Sequence, residues 1–311
     1  MDFSWKKAWV PLIVVFLFVE SMLSVSSMIN NSEILFPEAS ALAVGCWVFK
    51  EERWNRNFQH ICLMPTLSAS LAILLNNCPI SIFMKESLAL ILVVAALHFL
   101  KSLIGPSISA AILPLVLGIH SWDYVLSVFV LTFVIMLGAI KNRTSKIHPI
   151  DNQSTRKVVY SFLIVLFIIF CWVLKLEIGI IPPLLVVTYE WFSKTEINRL
   201  FVSKQITLLT LCALIGAGCH QFCPHLTLLV GLISVLTSLQ FMLLLGIKLP
   251  PAFAISLLPL IIGELPVWKF PLTVLVESWV LSEMAIWYIR WEPIFSLKIL
   301  SFKKVLSDFK K

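Results

Sequence analysis

Pro106-Ser-Ile-Ser-Ala-Ala-Ile-Leu-Pro-Leu-Val-Leu-Gly118 is followed 145 residues later by Pro251-Ala-Phe-Ala-Ile-Ser-Leu-Leu-Pro-Leu-Ile-Ile-Gly263. The same shift places Pro37 on Pro182. Chance similarity between apolar segments does not keep prolines in register, so the chain is predicted to contain two copies of one unit. Internal repeats of this kind are typical of membrane transporters.

The composition indicates that lipid is the solvent of this chain. Hydrophobic residues make up 59% of it, charged residues make up 13%, and the mean hydropathy is +0.95. Soluble domains have about 45–50% apolar and about 25% charged residues. Lipid offers no hydrogen-bond partners, so the backbone N–H and C=O groups must bond to each other, as they do inside helices. We therefore predict an all-α polytopic transmembrane bundle, with repeat 1 over 1–145, repeat 2 over 146–287 and a cytoplasmic amphipathic tail over 288–311.

The predicted spans alternate with shorter apolar segments. Crossing the hydrocarbon takes roughly 20 residues. Full-length spans are predicted near 8–28, 59–77, 84–103, 122–140, 157–175, 205–219, 226–247 and 267–287. Shorter segments lie at 35–49, 106–119, 182–193 and 251–263. The first span follows Lys6 and Lys7, as in a secretory signal, but it contains Glu20 and is predicted to be retained.

The basic residues predict the orientation, because cytoplasmic loops concentrate Lys and Arg. Counting every segment as a crossing places 21 of the 24 Lys and Arg residues on one side. They lie in 1–7, 50–57, 141–157, 194–204 and 288–311 and at Lys101 and Lys248. Re-entrant short segments would instead mix basic loops onto both faces. Six crossings per half make the two repeats parallel and place both termini in the cytoplasm of a cell-membrane protein. The concentration of Lys and Arg in cytoplasmic loops explains the +7 net charge without a nucleic-acid partner. The oligomeric state is left open, and a homo-oligomer is one possibility.

The order of motifs resembles the HPP family of integral membrane proteins. These motifs are Phe36-Pro-Glu-Ala-Ser-Ala-Leu-Ala-Val-Gly45, Arg56-Asn-Phe-Gln-His60, Ile104-Gly-Pro-Ser-Ile-Ser-Ala-Ala111 and Ser121-Trp122. Where the family has His-Pro-Pro-Ala-Gly-Ala, this chain has Ile-Gly-Pro-Ser and Leu-Pro-Pro-Ala. A plastid branch of that family has been linked to nitrite transport, so the resemblance implies a transporter of a small anion.

The short segments predict a binding site at helix N-termini. Proline favours the first helical position because it lacks the amide hydrogen that would be orphaned there. The predicted helix starts are Pro37, Pro106, Pro182 and Pro251. Opposed helix N-termini in a protein-lined cavity can bind an anion, and the hydroxyls of Ser40, Ser107 and Ser109 would add donors. The alternative is that these prolines only mark turns between packed helices.

Glu38 is open to two interpretations. It is either a helix-start charge near the outer surface or a carboxylate that occupies the anion site when the site is empty. Glu20 and Glu277 fall inside predicted spans, where an ionisable group is costly, and are candidates for proton coupling. Glu190 is expected to pair with Lys194, and Glu283 is expected to lie at the interface beside Arg290.

Seven scattered cysteines predict no disulfide framework. The cluster Cys219-His-Gln-Phe-Cys-Pro-His225 is compatible with a metal, a local disulfide or incidental loop residues, and we assign no metal and no cofactor to it. No catalytic motif is present, which favours a protein that is not an enzyme. The sequence therefore predicts a secondary carrier or channel for a small, anionic solute, with or without proton coupling. The alternative is a non-transporting membrane subunit or regulator of another complex.

Overall fold

The computed structural model describes residues 9–142, 154–175, 180–223, 226–262 and 268–308. At residue 154 and over 293–308 only the helical backbone is described. The described residues form helices and no strand. The α-helices are α1 (Trp9–Ile29), α2 (Glu38–Ala43), α3 (Glu52–Asn55), α4 (His60–Asn76), α5 (Ile82–Phe99), α6 (Pro106–Val116), α7 (Trp122–Ala139), α8 (Ser154–Val173), α9 (Pro182–Phe192), α10 (Arg199–Phe222), α11 (Thr227–Leu245), α12 (Pro251–Leu257), α13 (Pro259–Ile262) and α14 (Lys269–Asp308).

Seven helices of the described ranges are long and apolar enough to cross a membrane, namely α1, α5, α7, α8, α10, α11 and α14. The eighth predicted span is α4, which has 17 residues and contains Pro65. The all-helical fold class is therefore confirmed, with helices suited to span a bilayer. The amphipathic character of the tail depends on side chains that are not described. Gly263 also lies outside the described residues.

The short segments form the centre of the bundle. The α-helical part of α2 continues as one π-helical stretch over Val44–Val48. Nearly every residue of α2, α6, α9 and α12 is buried, whereas the long helices expose apolar side chains outward. α2 packs on α6 and α12, and α9 packs on the same two helices, so the four form a closed ring. This central ring is surrounded by the long helices.

Helices 145 residues apart make corresponding contacts. In the first half α4 packs on α6 and α7, and in the second half α10 packs on α12 and α14. α1 contacts α2 as α8 contacts α9, and α5 contacts α6 as α11 contacts α12. The contacts between halves also occur in pairs, α5 with α8 and α11 with α1, then α6 with α9 and α12 with α2. The two halves therefore place corresponding helices in corresponding surroundings.

The backbone repeats at the same offset. Asn30 and Lys175 end α1 and α8 with positive φ angles of 53° and 51°. Lys101 and Gly246 follow α5 and α11 with φ angles of 50° and 65°. A non-glycine residue in this left-handed region is uncommon and is maintained by the surrounding structure. Helix ends thus coincide in register even where the residue type differs.

Small residues allow the central ring to pack closely against the outer helices. A Cβ atom added to Gly216 of α10 would overlap the backbone carbonyl of Ser256 in α12. Since lipid tails are as apolar as core side chains, helix association in membranes depends on such close packing and not on hydrophobic burial. Gly216 therefore fixes the distance between α10 and the ring.

Candidate functional site

Glu38, the first residue of α2, lies against the first turn of α6. Its side chain is 1% exposed. The hydroxyl of Ser109 donates a hydrogen bond to Glu38 Oε1. Because Ser109 is the fourth residue of α6, the contact brings the starts of the two short helices together. Glu38 is thus a helix-start residue whose side chain is buried inside the ring, and its depth relative to the membrane surface stays a prediction.

Three buried polar atoms of the central ring have no hydrogen-bond partner among the described residues. They are Glu38 Oε2, Ser107 Oγ and the hydroxyl oxygen of Tyr189. Tyr189 belongs to α9 and packs against the residue that precedes α6, since a Cβ on Gly105 would lie 3.7 Å from its ring. Leaving one such group unsatisfied costs about 1–3 kcal/mol, so a cluster of them points to a ligand or to function.

The other predicted helix starts have different surroundings. Pro182 and Pro251 are the first residues of α9 and α12, and Pro106 is the first residue of α6. The hydroxyl of Ser40 is engaged within its own helix, where it donates to the carbonyl of Pro37 at 2.6 Å. Of the predicted site residues, Glu38 and Ser109 thus meet at the first turn of α6, and Ser107 lies in the same turn.

Two tyrosines belong to this region and were missed from the sequence. Tyr124 of α7 is completely buried and lies within electrostatic reach of Glu38. Its hydroxyl donates to the carbonyl of Ala110 at 3.2 Å. Tyr189 is the second. Both lie on helices that are apolar around their circumference, so no periodic pattern in the sequence distinguishes the side of the helix that carries the tyrosine.

Glu277 occupies the start of α9. This carboxylate on α14 is 4% exposed, and both of its oxygens accept from the backbone N–H of Ile181, at 3.2 and 3.1 Å. A carboxylate in this position is favoured by the partial positive charge of the helix N-terminus. Glu38 and Glu277 are not equivalent in sequence, yet each places a carboxylate at the start of a short helix of the ring.

Glu20 and Glu86 are acids at contacts between the two halves, and Glu86 is buried whereas Glu20 is partly exposed. Glu20 of α1 faces α11, where its Oε1 would lie 3.1 Å from a Cβ on Gly231, and this oxygen has no described partner. Glu86 of α5 is 8% exposed and was missed from the sequence, although an acid within an apolar helix was a usable signal. Glu20 thus lies at the contact of α1 with α11 and makes no described hydrogen bond to Glu38 or Ser109.

Ion pairs lie at the end of the bundle where the loops are basic, which we call the basic end. Glu283, which was expected to lie at the interface beside Arg290, pairs with Arg199 at 3.2 Å. Arg156 holds Glu292 through two hydrogen bonds of 2.8 Å.

The expected pair of Glu190 and Lys194 forms no salt bridge among the described residues. Instead the Lys194 ammonium lies 4.6 Å from the centre of the Phe201 ring. It remains close enough to act on the charge of Glu190. Their side chains are therefore electrostatic neighbours and not a closed ion pair.

The cysteine and histidine cluster lies at the end of α10. Cys219 and Cys223 have free thiols, so no disulfide joins them. Pro224 and His225 lie outside the described residues. Within the part of the chain that is described, no three metal-ligating side chains come together.

Comparisons with protein-family models, with curated proteins and with solved structures returned no match for this chain. The resemblance to the HPP family rests on the sequence motifs alone. Function must accordingly be inferred from the chemistry of the central ring.

Proposed function

We propose that the chain is a proton-coupled carrier of a small anion, with its binding site at the first turn of α6. The observation that carries this proposal is the buried carboxylate of Glu38, which accepts from Ser109 while Ser107 and its own second oxygen lack partners. The start of an 11-residue helix, with two serine hydroxyls, is a place where an anion is stabilised. Here Glu38 occupies that place.

Competition between Glu38 and the solute provides the coupling. When Glu38 is ionised, its carboxylate takes the donor of Ser109 and repels a second anion. When Glu38 binds a proton, the repulsion ends, and the hydroxyls of Ser107 and Ser109 become available to the solute. A proton and an anion then bind together and are released together. Such linkage favours a carrier over a channel, because the same site is occupied either by the ionised Glu38 carboxylate or by the anion together with a proton.

The surrounding architecture supports this role. The corresponding contacts of the two halves favour two parallel repeats, with the carrier alternating as one half rocks against the other. The basic end would face the cytoplasm of a cell-membrane protein. The site lies in the central ring, where both halves contribute helices, so rocking would change its accessibility.

The test is anion uptake and binding by the purified protein in liposomes. We expect uptake of at least one of nitrite, nitrate, formate and chloride, driven by an inward proton gradient. While Glu38 is ionised, binding of one proton per anion raises affinity about tenfold per pH unit of acidification. In Glu38→Gln the side chain is neutral at every pH, so this dependence should disappear. Glu283→Gln is the control, because its partly exposed carboxylate pairs with Arg199 at the basic end.

Two results would count against the proposal. If no anion moves with or without a proton gradient, a non-transporting subunit becomes the better interpretation. If Glu38→Gln binds the anion with the pH dependence of the parent protein, Glu38 is not the competing carboxylate.

A further inference from the structure

A second group of buried ionisable side chains lies on the other side of the ring. Glu277 is at the start of α9, and Cys171 of α8 lies within electrostatic reach of both Glu277 and Glu86. Glu86 comes from α5, which packs on α8 across the contact between the halves. These three side chains come from three different helices. They lie far along the sequence from the contact between Glu38 and Ser109.

The packing of α5 on α8 fixes the position of Glu86. The rings of Phe83 and Trp172 are 4.5 Å apart, so the first turn of α5 lies beside the end of α8 that carries Cys171. The neighbouring Lys85 points toward α4, donating to the backbone carbonyl of Asn76 at 2.8 Å and to its side-chain oxygen at 3.3 Å. Lys85 therefore does not neutralise Glu86.

Glu86 is the feature that a structural role does not explain. It is 8% exposed, lies within electrostatic reach of Cys171, and accepts no hydrogen bond from any described residue. The described titratable group that faces it from α8 is Cys171. α9 offers Glu277 the Ile181 N–H and places Tyr189 and Glu190 further along toward the basic end. Arg199 of α10 pairs with Glu283, which lies about two turns along α14 from Glu277. Two carboxylates without a cation are costly in a membrane interior unless a proton neutralises one of them.

We propose that Glu86 and Glu277, together with Cys171, form a second proton-binding site that loads one proton per transport cycle. Glu277 is the member that can be ionised, since the start of α9 and the Ile181 N–H stabilise its charge. Glu86 lies near the end of the bundle opposite the basic end and receives the proton from that side. The carrier would then move two protons with each monovalent anion, one at Glu38 and one here, and would transfer one net positive charge.

This inference rests on the proposed function for its transport assay, and infrared spectroscopy tests it independently. Potassium-loaded liposomes with valinomycin provide an inside-negative potential at a fixed pH gradient. With nitrite, nitrate, formate or chloride as the probe, one net charge makes accumulation rise about tenfold per 59 mV in the parent protein. In Glu86→Gln and Glu277→Gln we expect that response to the potential to vanish while the proton gradient still drives uptake. The amide oxygen introduced by Glu277→Gln can still accept from the Ile181 N–H, which preserves the fold.

Glu283→Gln is the matched control on α14 and should keep the response to potential. In infrared difference spectra, acidification should produce a protonated-carboxyl signal that Glu86→Gln and Glu277→Gln each reduce. The proposal is overturned if the parent protein does not respond to potential, or if either variant keeps the full response. If the parent protein moves no anion at all, the proposed function fails. The infrared spectra then decide alone: a signal unchanged in both variants overturns the second site, and a signal lost in both supports it.

Discussion

Ser107 and Glu38 each bury a polar oxygen that no described residue satisfies. In the interior of a protein such an atom loses the hydrogen bonds of water, at a cost of about 1–3 kcal/mol. A serine with only a packing role at the start of α6 would be replaced by alanine without loss. The hydroxyl is therefore expected to serve a ligand that the free protein lacks.

Ser107→Ala separates these two roles. Removing the unpartnered hydroxyl should leave the melting temperature unchanged or raise it. Losing a hydrogen bond to a charged ligand costs about 1.5–3 kcal/mol, which weakens anion affinity about tenfold or more. Melting and anion binding measured on the same preparation test both expectations. Ser256→Ala is the control, because this equally buried hydroxyl donates to the carbonyl of Phe253 within its own helix at 2.9 Å. Equal anion affinity in Ser107→Ala and the parent protein would remove Ser107 from the site.

At the scale of elements, the local sequence determines where the short helices start. It does not determine which other helices they contact. Pro106, Pro182 and Pro251 mark helix starts because the pyrrolidine ring fixes φ and removes a donor, so these positions were predictable from the sequence. The meeting of Glu277 with Ile181 depends on how α14 packs on α9, which no local pattern encodes. The same reason explains why Tyr189 was missed, whereas Glu86 was visible in the sequence as an acid within an apolar helix.

The close contact between α10 and α12 is expected to be sensitive to substitution. In Gly216→Ala the new methyl group would overlap the Ser256 carbonyl, a backbone atom that cannot move aside cheaply. We expect a loss of about 1–3 kcal/mol, seen as a lower melting temperature in detergent. Gly218→Ala is the matched control in the same helix, because nothing lies within 4 Å of its added Cβ. It should be neutral or gain up to about 1 kcal/mol from helix propensity. Equal melting temperatures for the two variants would contradict this account of the contact.

At the scale of the whole molecule, the helix contacts of the two halves correspond whereas their charged residues differ. Glu20, Glu38, Glu86 and Glu277 have Val165, Pro183, Gly231 and Thr132 at the corresponding positions. Yet Glu20 at the contact of α1 with α11 and Glu86 at the contact of α5 with α8 occupy matching interfaces. Glu38 and Glu277 likewise lie at the starts of α2 and α9. The sequence predicted a repeat and an asymmetry, but only the packing shows that different residues place carboxylates at corresponding positions.

Paired contacts between the halves predict that each half can insert by itself and then assemble. Two chains, 1–148 and 149–311, should co-purify in a one-to-one ratio when they are expressed together with a tag on one of them. Each chain has an even number of predicted crossings and its own basic loops, so neither depends on the other for orientation. The interface includes α6 against α9, where a Cβ on Gly105 would lie 3.1 Å from Val186 Cγ1. Gly105→Leu should therefore reduce co-purification severalfold, whereas Gly218→Leu, away from that interface, should not. Halves that insert in the membrane but never co-purify would show that the covalent connection, and not the packing of the ring, holds the two halves together.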